Sequence, residues 1–148
     1  MARIVWRDQL NIGFTLIDDD HKMLVEYLND LDAAVNGRAY DSKTVAQIVL
    51  KMLQYAQEHI EREDDLMVRS NYPETEGHKR AHAELTAQAN KIGAEFLRDQ
   101  SLEKAIEIYE FVADWLVKHI IDTDQKLGDY LNKSNFTLSS DIFFRSIA

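Results

Sequence analysis

The segment His59–His82 reads HIEREDDLMVRSNYPETEGHKRAH, and its spacing governs the rest of the chain. His59 and Glu63 are four residues apart, as are His78 and His82, with Tyr72-Pro73 between the two pairs. On an α-helix four residues advance about 400°, so the members of each pair stand about 40° apart on one face, one turn above the other. Two neighbouring helices, broken apart at the proline, each present two donors to a shared interior. Imidazole combined with carboxylate suits iron, zinc, manganese or copper and argues against a soft thiolate site.

On either side of this segment, apolar positions recur at helical spacing. Ile17, His21, Leu24, Leu28, Leu31 and Val35 make one stripe, stopped by Asn36-Gly37, which predicts a helix over 18–36. Asp18 to Asp20 put negative charge in its first turn, where the helix dipole favours it. Val45, Val49, Met52, His59, Ile60, Glu63 and Met67 share a face of a second helix over 42–69, with Asp41 or Ser42 as its cap. Pro73 and Thr75 start a third helix, which carries His78, His82, Leu85, Ala89, Ile92 and Phe96 inward as far as Leu97. Ser101 caps a fourth, with Leu102, Ile106, Tyr109, Val112, Leu116, His119 and Ile120 inward, running to Leu131. Four amphipathic helices on short connections predict an all-α fold, an antiparallel up-down-up-down four-helix bundle. Residues 1–16 precede it as an extended N-terminal arm anchored by Trp6, Leu10, Ile12 and Phe14. The bundle domain is expected over 1–133. Residues 134–148 form a tail whose Phe136, Ile142, Phe143 and Phe144 require a surface, on the bundle or on a protein partner.

Composition excludes several classes of function. A chain of 148 residues makes one domain with a core of its own. One proline and five glycines leave little material for a many-turned β architecture. The absence of cysteine rules out a disulfide framework, an iron–sulfur cluster and a thiol nucleophile. A net charge of −9 without a basic stripe argues against nucleic acid and anionic membrane surfaces as partners. No apolar run approaches about 18 residues and no secretory h-region is evident, so a soluble, cytoplasmic protein is expected, in the simplest case a monomer.

The five histidines, His21, His59, His78, His82 and His119, all fall on the apolar stripes of their helices. A lone histidine there is usually a satisfied core residue. Five across four helices would need five sets of polar partners, each missing one costing about 1–3 kcal/mol, so a metal cluster accounts for them better. Glu63 joins them through its spacing from His59. The second carboxylate is less determined. Asp124 lies five residues after His119, a drift of about 140° on an ideal helix, so spacing leaves Asp124, Asp122 and Asp114 open; Asp124 would need a locally widened turn. Seven donors exceed the six that one octahedral ion takes and suit two ions bridged by carboxylates. Two divalent ions, two carboxylates and a hydroxide sum to about +1, a tolerable buried charge.

These residues resemble the bacterial hemerythrin family. The matching elements are Ile17-Asp18-x-x-His21, His59-x-x-x-Glu63, Met67 with Tyr72, His78-x-x-x-His82, and Trp115-Leu116-x-x-His119-x-x-x-x-Asp124, with Trp6 in the arm. The resemblance covers residues 1–131 and selects Asp124 from the three candidates. It implies a non-haem centre of two iron ions bridged by Glu63, Asp124 and an oxo or hydroxo group. His78, His82 and His119 would hold the filled iron, and His21 with His59 the iron that keeps a position open for molecular oxygen. It implies reversible oxygen binding, in carriage, storage or sensing, and no enzyme activity. Leu24, Ile60, Trp115 and Leu116 are the expected walls of a dry oxygen pocket. Ile60 stands where many members have phenylalanine, and Asp64, where many have glutamate, is expected to face solvent.

Two other functions compete. A ferritin-like di-iron oxidase uses Glu-x-x-His on two helices, and no histidine here has glutamate three residues before it. Redox, peroxide, nitric-oxide or iron-handling chemistry at the same site is the alternative to oxygen binding.

Overall fold

A computed structural model describes residues 3–138. Among them the secondary structure is entirely helical: a 3-10 turn Asp8–Leu10 within the otherwise extended arm, α1 Thr15–Val35, α2 Ser42–Arg69, α3 Thr75–Arg98, α4 Leu102–His119, a π-helical turn Ile120–Asp124, and α5 Gln125–Lys133. None of these helices is long and apolar enough to cross a membrane. Around the core, α1 packs on α2, α2 on α3, α3 on α4, and α4 on α1.

Local chemistry sets the helix ends. Asp41 caps α2 by accepting the Lys43 N–H at 3.1 Å, and Ser101 caps α4 by accepting that of Lys104 at 3.2 Å. At the end of α2, Asn71 takes a left-handed φ of 55°. The Tyr72 N–H then bonds to the Met67 carbonyl and the Asn71 N–H to that of Val68, which satisfies two terminal carbonyls and folds Tyr72 inward. Asn135, at φ 53°, repeats the device after α5 and turns Phe136 back to within 6.4 Å of the Phe14 ring. Phe136 and Leu138 pack against the core. Ile142, Phe143 and Phe144 lie outside the described residues.

Helix α1 begins three residues before the predicted start, and its first turn contains Asp18. Its buried carboxylate accepts the backbone N–H groups of Ile12 and Gly13 at 2.8 and 3.1 Å, tying the arm to the helix start. The arm is further held by the Asn29 side chain, which pairs with both the N–H and the carbonyl of Ile4. Gly13 has φ 87°, and a Cβ there would meet the Asn132 amide at 2.7 Å, so this crossing needs glycine.

Leu28, Leu31, Val45, Met52, Phe96, Ala105 and Ile108 are sealed in the interior, each large side chain contributing about 1.5–3 kcal/mol through burial. The site-bearing residues lie toward the start of α1 and α3, toward the end of α2 and α4, and in the π turn. All therefore gather at one end of the bundle. At the other end the Tyr40 hydroxyl donates to the Gln100 and Ser101 carbonyls, joining the two connections there.

Candidate metal centre

All seven side chains singled out from the sequence converge. His21, His59, Glu63 and Asp124 are 0% exposed, and His78, His82 and His119 no more than 6%. Their donor atoms divide into two overlapping groups: Glu63, His78, His82, His119 and Asp124 in one, His21, His59, Glu63 and Asp124 in the other. Within each group every donor lies within 4.8 Å of every other.

The two carboxylates face both ways. Glu63 Oε1 stands 2.6 Å from His78 Nε2 and 3.3 Å from His82 Nε2, while Oε2 stands 3.1 Å from His59 Nε2. Asp124 Oδ1 lies 3.1 Å from His78 Nε2 and 3.0 Å from His119 Nε2, while Oδ2 lies 2.9 Å from His21 Nε2. One oxygen of each carboxylate thus belongs to the three-histidine end and the other to the two-histidine end.

Whether these donors suit metal ions is tested by their mutual geometry. His119 Nε2 is 3.1 Å from His78 Nε2 and 3.0 Å from His82 Nε2. Two donors at right angles around an ion, each at a metal–nitrogen distance of about 2.1 Å, are about 3.0 Å apart. His21 Nε2, His59 Nε2 and all four oxygens of Glu63 and Asp124 are buried and, despite these short distances, form no hydrogen bond of acceptable geometry. These atoms converge without pairing off in hydrogen-bond geometry. Six orphaned polar atoms in one spot would cost several kcal/mol as a bare core, and bound cations remove that cost. The residues present fit a pair of metal ions.

Asp124 reaches the cluster through the π-helical turn. The Gln125 N–H bonds to the Ile120 carbonyl, five residues back, in place of the usual four. This extra residue brings Asp124 onto the face of His119, while Asp122 and Asp114 remain exposed.

Electrostatics at the site follow from burial against pairing. Burial disfavours charge on His59, but the Glu63 charge and the hydrogen bond to Asp20 raise it to about 10. Burial likewise opposes charge on His119, and the Asp124 and Glu63 carboxylates raise it to about 9. Burial pushes Glu63 and Asp124 up, and for Asp124 the Glu63 charge adds to it; contacts with the histidines outweigh this and hold both below the ordinary carboxylate range.

Two supporting carboxylates were not identified from the sequence. Asp20, for which the sequence suggests helix-dipole charge, is buried, with Oδ2 accepting the His59 Nδ1–H at 2.9 Å. Its position three residues after Ile17, beside the apolar stripe, was the available signal. Asp64, expected to face solvent, is a correction: although its side chain is 26% exposed, Oδ1 lies 2.7 Å from His82 Nδ1. Position 64 follows the ligating face of α2 by one residue, and α3 packs close enough to be reached.

Of the expected pocket walls, Leu24 and Leu116 are sealed in the core, 0% and 1% exposed. Ile60 and Trp115 instead line an apolar cleft of about 850 Å³ between α2, α3 and α4, with Leu85, Phe111 and Val112. Leu24 and Leu116 are not part of that lining. The Trp115 ring stacks on His119 at 5.0 Å between centroids.

Comparison with known proteins gives a consistent result. The chain is 30% identical over 129 residues to the bacteriohemerythrin of Stenotrophomonas maltophilia, covering 87% of this chain and 82% of that protein. It is 26% identical to that of Clostridium acetobutylicum, covering 84% and 98% respectively. A crystal structure of wild-type hemerythrin shares the fold with a TM-score of 0.77 at 24% identity, over 88% of this chain and 98% of that one. Residues 12–131 match the model of the hemerythrin HHE cation binding domain. With a donor cluster for two metal ions at one end of its helices, the chain belongs to the hemerythrin family.

Proposed function

We propose that this protein binds molecular oxygen reversibly at two iron ions held by His21, His59, Glu63, His78, His82, His119 and Asp124, and that it serves oxygen carriage, storage or sensing and is not an enzyme. One observation carries the reading: three histidines stand at one end of the site and two at the other, with both carboxylates common to the two ends. His78, His82 and His119 with one oxygen each of Glu63 and Asp124 would hold one ion, and a solvent-derived bridge would fill its sixth position. By the same count, an ion held by His21, His59, Glu63 and Asp124 would keep one position open. Iron bound there would supply the electrons that oxygen takes up on binding and returns on release.

The remaining work belongs to the protein. Glu63 and Asp124 balance the buried cationic charge. Asp20 and Asp64 hold His59 and His82 with Nδ1 protonated and Nε2 free to ligate. Leu24 and Leu116, sealed in the core, with Ile60 and with Trp115 stacked on His119, would keep water and reductants from the centre, the condition for release without net oxidation. The domain spans 1–133, with 134–148 as its tail. Since one chain supplies all seven donors, a monomer suffices.

Reducing the iron-loaded protein, admitting air and then removing oxygen tests the proposal optically. A visible band that appears with air and vanishes on deoxygenation is expected. Direct passage to the ferric spectrum would instead assign redox, peroxide, nitric-oxide or iron-handling chemistry to the same centre.

A further inference from the structure

His59 is braced more heavily than any other histidine of the cluster. Asp20, 4% exposed on α1, turns away from its neighbour His21 and toward α2. Its Oδ2 accepts from His59 Nδ1–H at 2.9 Å and from Arg62 Nε at 2.9 Å. Its Oδ1 accepts from Arg62 Nη2 at 2.9 Å and from the Tyr55 hydroxyl at 2.8 Å. Four donors on two oxygens saturate the carboxylate and lock its plane. The Arg62 guanidinium lies 5.3 Å from the centroid of the Tyr55 ring, which holds both in place.

We propose that Asp20 is a positioning and tuning residue for His59, and that the Asp20–Arg62–Tyr55 cluster sets the donor strength of that imidazole toward the metal at the two-histidine end. The inference rests on His59 being a ligand. An anion that accepts the Nδ1–H of a ligating imidazole fixes its tautomer and raises the basicity of Nε2. Arg62 and Tyr55 work against Asp20, because each draws on the charge that Asp20 offers His59. The balance of these groups therefore sets the outcome, not the carboxylate alone. His21, the other imidazole at this end, has a buried Nδ1 with no partner. Donor strength at the two-histidine end is thus adjusted through His59. The counterpart at the three-histidine end is Asp64, which approaches His82 at 2.7 Å from a partly exposed position, where solvent screens it.

The opposed roles give variants with opposite signs. The full chain is loaded anaerobically with ferrous iron, ion retention is measured by competition with a chelator, and the midpoint potential by optical titration. Asp20→Asn keeps the side-chain shape and removes the charge. It is expected to weaken one of the two ions by about 10–100-fold, leave the other in place and raise the potential. Arg62→Gln frees Asp20 charge for His59 and is expected to lower the potential. Tyr55→Phe should shift it the same way by less. Asp64→Asn should weaken the other ion. A purely structural role would move Asp20→Asn and Arg62→Gln together, so shifts of the same sign overturn the proposal. So does Asp20→Asn retaining both ions as wild type does. Should Asp20→Asn fail to fold, a raised potential in Arg62→Gln overturns it independently. Wild-type protein that takes up fewer than two ions overturns the ligand reading, and this inference with it.

Discussion

His119 and Asp124 are five residues apart, and Nε2 of one lies 3.0 Å from Oδ1 of the other. A regular α-helix would set them about 140° apart. The wide turn from Ile120 to Asp124 takes up the difference and delivers a carboxylate that touches both ends of the cluster. Asp124→Asn should therefore reduce metal stoichiometry below two ions per chain. Asp122→Asn and Asp114→Asn, on exposed side chains, should leave it at wild-type level. Metal analysis of the three purified variants decides between them.

Chelation should destabilise the fold. Each ion bound at a thousand-fold excess over its dissociation constant contributes about 4 kcal/mol, so two contribute about 8 kcal/mol. At roughly 2–4 °C per kcal/mol for a chain of this size, the apo protein should melt roughly 16–32 °C lower. Calorimetry with and without chelator measures this. Equal melting temperatures would show that Glu63, Asp124 and the histidines satisfy one another without ions.

Metal uptake should release protons. His59 raised to about 10 and His119 raised to about 9 both hold a proton at neutral pH, and each must lose it to ligate. Affinity should therefore rise with pH up to that range and weaken in mild acid. Calorimetric titration at pH 7 in buffers of different ionisation enthalpy should count at least two protons released, and a count near zero would contradict the charge state assigned to these imidazoles.

The arm should come loose when its crossing over α5 is blocked. A Cβ at Gly128 would overlap the Ile12 carbonyl oxygen, which is backbone and cannot turn aside. Gly128→Ala is expected to cost about 1–3 kcal/mol and to expose the arm to proteolysis near Ile12. Asp18→Ala should do the same by orphaning the Ile12 and Gly13 N–H groups, at about 1–3 kcal/mol. Rates of limited digestion, compared with digestion of α2, report whether the loss is local.

The helical order, the chemical types of the donors and the faces on which most of them lie are legible in the residues alone. Periodicity is a local property: His59 with Glu63 and His78 with His82 share a face because of backbone geometry alone, and α2 begins and ends where its cap and Asn71 place it. Helical spacing left Asp124, Asp122 and Asp114 open, because the wide turn is a departure from that regularity and has no signature in the period. The roles of Asp18, Asp20 and Asp64 were hidden for a different reason. Each sits in a run of acids that look alike on a helix, yet Asp18 meets Ile12, Asp20 meets His59 across 39 residues, and Asp64 meets His82 across 18. Which helix faces which, and at what depth, is set by packing of the whole core, so only the tertiary structure decided which carboxylates serve the arm and which serve the histidines.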